Sequence, residues 1–398
     1  MAIQQEVGEV IAYKIGTGTY PAAPSAGSAQ RLRRTDYNVA LAKDMLRNTE
    51  LRTDYQRPMP RHGMRRAAGA AQGLLSGGTY APFIGSALRR AFTTVTTLPA
   101  LTNVTAAATA PQFVRAAGSW ITDGLRVGMV VRMTGWTAGG TGNNSKNFTI
   151  IALTATDMTV AETVAAKASG DSVVVSIPGK VTWVPATGHT NDWYSIERWM
   201  PDAALSLRAD GVRVGGFSLE LADNDNISFN LDLQGSQVVK AASQYFTSPT
   251  AEGSSTVYSS LAGAAFIEGV QVGVLTGFRL NQSSGLTPLK AVFRNTSPDI
   301  LAGPVDVSGS ATLYLDSATY YDYFDLESQI AIVGRFDAGS AANTDFFSFA
   351  LPNVSLAGGS IARGENALTI SFDFTAGRGS AKTGHEDTTL IVQDSLAA

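Results

Sequence analysis

The 398-residue sequence contains no cysteine. Disulfide scaffolds, cysteine-ligated zinc, iron–sulfur clusters and thiol nucleophiles are therefore excluded. The compartment stays open, because a chain without thiols is stable in either redox state. Charge is also scarce, at 16% of residues against roughly 25% in an average soluble domain. With 33 acids and 30 bases the net charge is −3, which argues against a generally basic nucleic-acid binder. No apolar run reaches the roughly 18–20 residues of a membrane span. The opening Met1-Ala2-Ile3-Gln4-Gln5-Glu6 has neither the basic region nor the apolar core of a signal peptide, so use without secretion is expected. The three histidines, His62, His189 and His385, stand far apart and make no metal-ligand spacing. Phosphate-loop and nucleophile-elbow patterns are missing, and Gly16-Thr17-Gly18 and Gly139-Gly140-Thr141-Gly142 read as turns. Asp223 and Asp225 lack the glycine and terminal glutamate of a calcium loop. Pairs of acids able to hydrolyse glycosides occur by chance in many β proteins. No enzyme and no cofactor is expected.

The charges that are present are segregated. Residues 31–90 hold 12 bases and four acids, a balance of +8, while residues 201–398 hold 10 bases and 21 acids, a balance of −11. Such asymmetry points to a partner of opposite sign for each part. The basic part suits nucleic acid or the acidic part of another copy, and solubility alone is the plain alternative.

Val10–Ile15 reads as a strand, and 20–28 as a Pro- and Ser-containing loop. Residues 31–66 lack sustained apolar periodicity and read as an extended arm with a weak strand or two. A helix is expected over 79–91, capped by Ser76 or Thr79, with Pro82 in its first turn and Phe83, Ala87, Ile84 and Leu88 on one face. Residues 96–185 change to Ala, Thr, Gly and Val, with strand-like runs at 127–134, 148–153, 158–160 and 172–177. They form a candidate inserted all-β domain, and 1–95 with 186–398 form the main domain.

Period-2 alternation is clearest beyond residue 194. Phe217, Leu219 and Leu221 alternate with Ser218 and Glu220. Ile227, Phe229, Leu231 and Leu233 alternate with Ser228, Asn230, Asp232 and Gln234. Val305, Val307, Leu313 and Leu315 oppose Asp306, Ser308, Ser310, Thr312 and Asp316, and a short helix is expected at about 317–326. Leu368, Ile370, Phe372 and Phe374 alternate with Thr369, Ser371, Asp373 and Thr375. Any antiparallel sheet has a wet face, but wet faces commonly carry lysine against aggregation. Four cation-free polar faces suit a surface that must not hold a polyanion. The aromatics Trp183, Trp193, Tyr194 and Trp199 suit a domain junction better than a sugar platform, and Tyr320, Tyr321, Tyr323 and Phe324 suit helix-to-sheet packing.

Leu46-Arg47-Asn48-Thr49-Glu50-Leu51-Arg52, Gln56-Arg57, Arg61-His62-Gly63 and Leu74-Leu75-Ser76-Gly77-Gly78-Thr79-Tyr80 occur in an order and spacing that resembles the tail tube proteins of long-tailed bacteriophages. Tyr194-Ser195-Ile196-Glu197, Gly211-Val212-Arg213-Val214-Gly215 and Leu351-Pro352-Asn353-Val354-Ser355 continue the resemblance. Trp120, Asp123-Gly124-Leu125-Arg126-Val127-Gly128, Thr134-Gly135, Asn143-Asn144 and Phe148 resemble a small outward-facing β domain inserted in that family. The resemblance implies a β-sandwich or barrel tube fold with a flanking helix. It implies homo-hexameric rings stacked into a hollow virion tail, each subunit giving four strands to an inner barrel. Assembly in the host bacterial cytoplasm, partners such as tape-measure, terminator and distal tail proteins, and passage of double-stranded DNA and ejected proteins are implied as well.

Placing the four alternating strands in that barrel makes Ser218, Glu220, Ser228, Asn230, Asp232, Gln234, Asp306, Ser308, Ser310, Thr312, Thr369, Ser371 and Asp373 the expected lumen residues. Twenty-four strands at ~4.8 Å spacing and ~40° tilt give a barrel roughly 45–50 Å across and a bore of roughly 35 Å, wide enough for a duplex about 20 Å across. The arm then carries the expected ring-stacking residues Arg47, Arg52, Arg57, Arg61, Arg65 and Arg66. The competing reading is a decoration, baseplate or adhesin-type protein whose 96–185 module binds a surface glycan.

Overall fold

The computed structural model describes residues 3–363, 367–379 and 382–397. The fold is mainly β, with two seven-residue α-helices among the described residues. Its frame runs, in chain order, β1 (Val10–Ile15), β2 (Ala40–Leu46), β3 (Arg61–Leu74), α1 (Ala81–Ala87), β4 (Tyr194–Met200), β5 (Leu205–Ala222), β6 (Ser228–Gly235) and β7 (Gln237–Ala241). It continues with β8 (Gly263–Ile267), β9 (Leu275–Ser283), β10 (Asp306–Tyr314), α2 (Thr319–Asp325), β11 (Ile330–Asp337), β12 (Phe346–Arg363), β13 (Leu368–Gly377) and β14 (Ile391–Asp394).

The same unit occurs twice in this order. In the first, the antiparallel neighbours are β1–β4, β4–β5, β5–β6, β6–β3, β3–β2 and β5–β7. In the second they are β8–β11, β11–β12, β12–β13, β13–β10, β10–β9 and β12–β14. The helix follows the hairpin in each unit, and β5 and β12 are each 18 residues long. These long strands serve two sheets. Their first halves pair in an outer sheet and their second halves in an inner one, with register shifts at Val214/Gly216 and Ala357/Gly359 where a bulge bends the strand. The units join where β5 pairs with β9, from Gly216↔Ser283 to Ala222↔Gly277. The inner sheet therefore runs β2-β3-β6-β5-β9-β10-β13-β12.

The apolar halves of the alternating strands fill the space between inner and outer sheets. Phe217, Leu219, Phe229, Leu231 and Leu233 are buried, as are Phe278, Leu280, Val307 and Phe374 of the second unit. Each such side chain contributes about 1.5–3 kcal/mol relative to exposure. Helix α1 closes the first core: Phe83 lies 4.8 Å from Tyr194, ring to ring, and the Tyr194 hydroxyl donates to the Pro82 carbonyl at 2.9 Å. The helix is shorter than the expected 79–91. Arg89 adopts φ +59, outside the right-handed helical region, so the helix stops before it. Nor does a side chain cap its start: Ser76 and Thr79 pair their hydroxyls with each other at 2.7 Å.

A segment with its own six-strand sheet enters the first unit between α1 and β4. The strands are Val104–Ala107, Gln112–Arg115, Val130–Thr134, Asn147–Leu153, Asp157–Val160 and Val174–Ser176. In the second unit α2 passes to β11 with no such segment. The extra sheet packs on the second unit's outer sheet, through Phe266, Val333, Ala350 and Ile391. Gln393 fixes it by accepting from the Val130 amide at 2.8 Å and donating to the Val130 carbonyl at 3.0 Å. Trp183 takes the Arg90 guanidinium 3.4 Å above its ring, and Trp193 is buried with Tyr20 set edge-on.

Candidate functional site

The inner sheet has one apolar and one polar side. The pleat sends Ser218 and Glu220 of β5, Ser228, Asn230, Asp232 and Gln234 of β6, Asp306, Ser308, Ser310 and Thr312 of β10, and Thr369, Ser371 and Asp373 of β13 to the polar side. Register aligns them in rows across the sheet. One row runs Gln72, Asn230, Ser218, Asn281, Ser308, Thr375. The next runs Ser228, Glu220, Arg279, Ser310, Asp373. Glu220, Asp232, Asp306 and Asp373 are exposed. Thr312 and Ser371 join their hydroxyls at 2.9 Å. The Asp232 residue is open to solvent as a whole, but its carboxylate lies over Gly215, where a Cβ would stand 2.5 Å from it, and desolvation of the carboxylate against this backbone pushes it above the usual carboxylate range.

Four strands of this sheet were not placed in it by the sequence reading: β2 and β3, which it took as part of an extended arm, and β12 and β9. β12 closes one side, its Ser355 opposite Thr375 and its Ala357 opposite Asp373. β9 lies between β5 and β10 and brings Arg279 into the row, so the assembled face is not cation-free. The alternation Phe278, Leu280 against Arg279, Asn281, Ser283 was the available signal. The face remains acidic on balance. Arg66 at its β3 side is engaged by Asp44 at 2.6 Å, and this hydrogen bond holds the Asp44 carboxyl below its ordinary range.

The arm is a hairpin of β2 and β3. β3 pairs with β6 only from Ala67 onward, so residues 61–66 run on past the sheet with β2 alongside. At about 3.3 Å per residue the overhang is about 20 Å. Arg47, Arg52 and Arg57 lie in the exposed connection between the strands, Arg61 is exposed on β3, and Arg65 and Arg66 are half-buried. Arg52 is engaged by Asp54 at 2.8 Å, whose carboxyl it holds low. Arg47, Arg57 and Arg61 have no ion-pair partner among the described residues. Leu51, Tyr55 and Met59 are exposed beside them. The Arg65 amide donates to the Asn295 carbonyl at 2.8 Å, tying the hairpin to the β9–β10 connection.

No helix among the described residues is long and apolar enough to cross a membrane. No curated protein matches the chain. The family model described as phage tail tube protein matches residues 9–376, from the residue before β1 almost to the end of β13, and thus takes in both units and the segment between them. The chain therefore belongs to the phage tail tube protein family, whose members are structural, non-enzymatic proteins of the virion tail.

Proposed function

We propose that copies of this chain close edge to edge into rings around the polar face, and that the rings stack into a hollow tail tube through which the double-stranded genome leaves the virion. The observation that carries this reading is the inner sheet itself. It is eight strands wide, continuous, hydroxyl-rich and net acidic on one side, and both its lateral edges lack partners among the described residues. Closing such a sheet into a barrel removes its edges. Phosphate binding is driven by release of counterions to lysine and arginine. A wall dominated by Asp, Glu, Ser and Thr leaves the duplex hydrated and mobile.

The extra sheet lies on the opposite side of the sandwich from the polar face, and so projects outward from the tube. The basic hairpin reaches the neighbouring ring and meets its acidic surface. Head-to-tail stacking of this kind grows an open filament, ended by other tail proteins, and assembly takes place in the host cytoplasm. Electron microscopy of the concentrated protein tests the reading. Hollow tubes with Glu220, Asp232, Asp306 and Asp373 turned to the pore are expected. Monodisperse monomers, or a density map with these four residues away from the pore, would refute it.

A further inference from the structure

The strand count fixes how many chains make a ring. We infer that three copies, not six, close the barrel, each supplying two tube units, so that β12 of one chain pairs with the edge leading into β2 of the next. The inference rests on the tube reading and goes beyond it.

The template for the joint is inside the chain. The second half of β5, the fifth strand of the first unit, pairs antiparallel with β9, the first hairpin strand of the second unit. By the repeat, the counterpart of β5 is β12 and the counterpart of β9 is the edge 35–41 that runs into β2, where Asp36, Tyr37, Ala40 and Leu41 lie opposite Gln72, Ala71, Ala68 and Ala67 of β3. The segment Ser355–Arg363 pairs only with β13, and β2 pairs only with β3, among the described residues. These are the two edges of the inner sheet, and they stand in the same relation to their units as β5 and β9 do.

Exposure at the two kinds of joint differs as an unmade contact requires. On the apolar side of the made joint, Leu219 and Leu280 are 0% exposed. On the apolar side of the open edges, Ile361 of β12 is 54% exposed and Leu41 of β2 is 43% exposed. Ile361 lies opposite the buried Ile370 and Leu41 opposite the buried Ala67, so both point to the core side. An open strand edge with apolar side chains is a template for another chain.

Size decides the number. Two chains give 16 strands, a barrel about 32 Å across and a bore of about 20 Å, with no room for a hydrated duplex. Three give 24 strands and a bore of about 35 Å. Six give 48 strands and a bore above about 80 Å, which would leave a duplex unguided. The ring then has six near-equivalent joints, alternately within a chain and between chains. One unit per subunit, as the family resemblance implied, is replaced by two units per chain with the six-unit ring retained.

Two measurements test this. In end-on averages of wild-type tubes, each ring is expected to show three peripheral lobes, one per inserted sheet, and three-fold rather than six-fold symmetry. Six lobes per ring would overturn the inference and leave the tube reading intact, whereas failure of the protein to form rings at all would overturn both. The second measurement uses the absence of native thiols. Thr35→Cys and Ile361→Cys in one chain, which the β5–β9 register carried over to the open edges sets opposite one another, assembled and treated with a short bis-maleimide, should give a denaturing-gel ladder that stops at three chains. A ladder reaching six, or assembled tubes that give no linked chains, would refute the joint.

Discussion

Glu220 and Arg279 stand directly opposite one another where β5 meets β9, at the joint between the two units. The exposed arginine in the middle of the polar face thus sits across from an acid, and its neighbour on the other side is Ser310. A cation placed there has its charge offset locally, while Asp232, Asp306 and Asp373 carry none beside them in register. The electrostatic character of the wall therefore rests on a few acids, and it can be inverted.

Glu220→Lys with Asp373→Lys changes the face by four charge units per chain. Tubes of this double variant should retain a short DNA duplex that wild-type tubes leave in the supernatant. Retention should fall steeply as salt rises from about 50 to about 200 mM, because each neutralised phosphate contributes about −0.9 to the log–log slope. Co-sedimentation with a fluorescent duplex reads this directly. Equal retention by both tubes would mean that this face does not line the path.

The overhanging hairpin predicts a separation between ring formation and stacking. Arg57 and Arg61 are exposed, have no ion-pair partner among the described residues, and lie at or beyond the end of the sheet. Arg57→Glu and Arg61→Glu should leave rings intact and shorten or abolish tubes, as seen in length distributions by negative stain. Tubes of normal length in both variants would remove the hairpin from the stacking contact.

The mainly β class and four of the inner strands were legible because period-2 alternation survives wherever one face is buried and the other wet. β5, β6, β10 and β13 meet that condition. β9 meets it too but was passed over, since Gly277 and the buried Gln282 break the pattern at its two ends. β12 was not legible as a single strand. Its first half, Phe346–Leu351, is buried on both faces and reads as a continuous apolar run, and its second half is exposed at the sheet edge. Such a strand has no single period. The repeat was hidden for a related reason: what it conserves is pairing order, which tolerates almost any residue of the right polarity. Ile227-Ser228-Phe229 and Ile370-Ser371-Phe372, near the starts of β6 and β13, are a literal echo.

Gly128 shows how tightly the extra sheet is seated. Its φ is +89, and a Cβ there would lie 2.2 Å from the Ala350 Cβ on β12. Its carbonyl accepts from the Ser348 hydroxyl at 2.7 Å. Gly139 has φ +90 but nothing within 4 Å of a built Cβ. Gly139→Ala should therefore cost only the backbone term, about 1–2 kcal/mol. Gly128→Ala adds a forced displacement of β12 from the inserted sheet, about 1–3 kcal/mol more. Denaturant unfolding of the two variants side by side isolates the packing contribution, and equal losses would show that the contact is loose.

Asp394 gives the stability of the fold a pH dependence whose sign can be derived. The residue is buried at 2% exposure, and it accepts from the Gly78 amide at 2.7 Å and the Leu396 amide at 2.9 Å. Burial outweighs these two donors and raises its pKa from 3.8 to about 6. The folded state therefore binds the proton more tightly than the unfolded chain does. The stabilisation this confers is complete below about pH 4 and is lost as pH rises through about 6, amounting to about 3 kcal/mol at most. Asp394→Asn cannot ionise, and loses one of the two amide contacts at every pH. The stability of the wild type relative to this variant should thus fall by up to about 3 kcal/mol between pH 4 and pH 8. Every other titrating group is common to both proteins and cancels in that comparison. A difference that stays constant over this range would show that Asp394 titrates in the folded protein as it does in the unfolded chain.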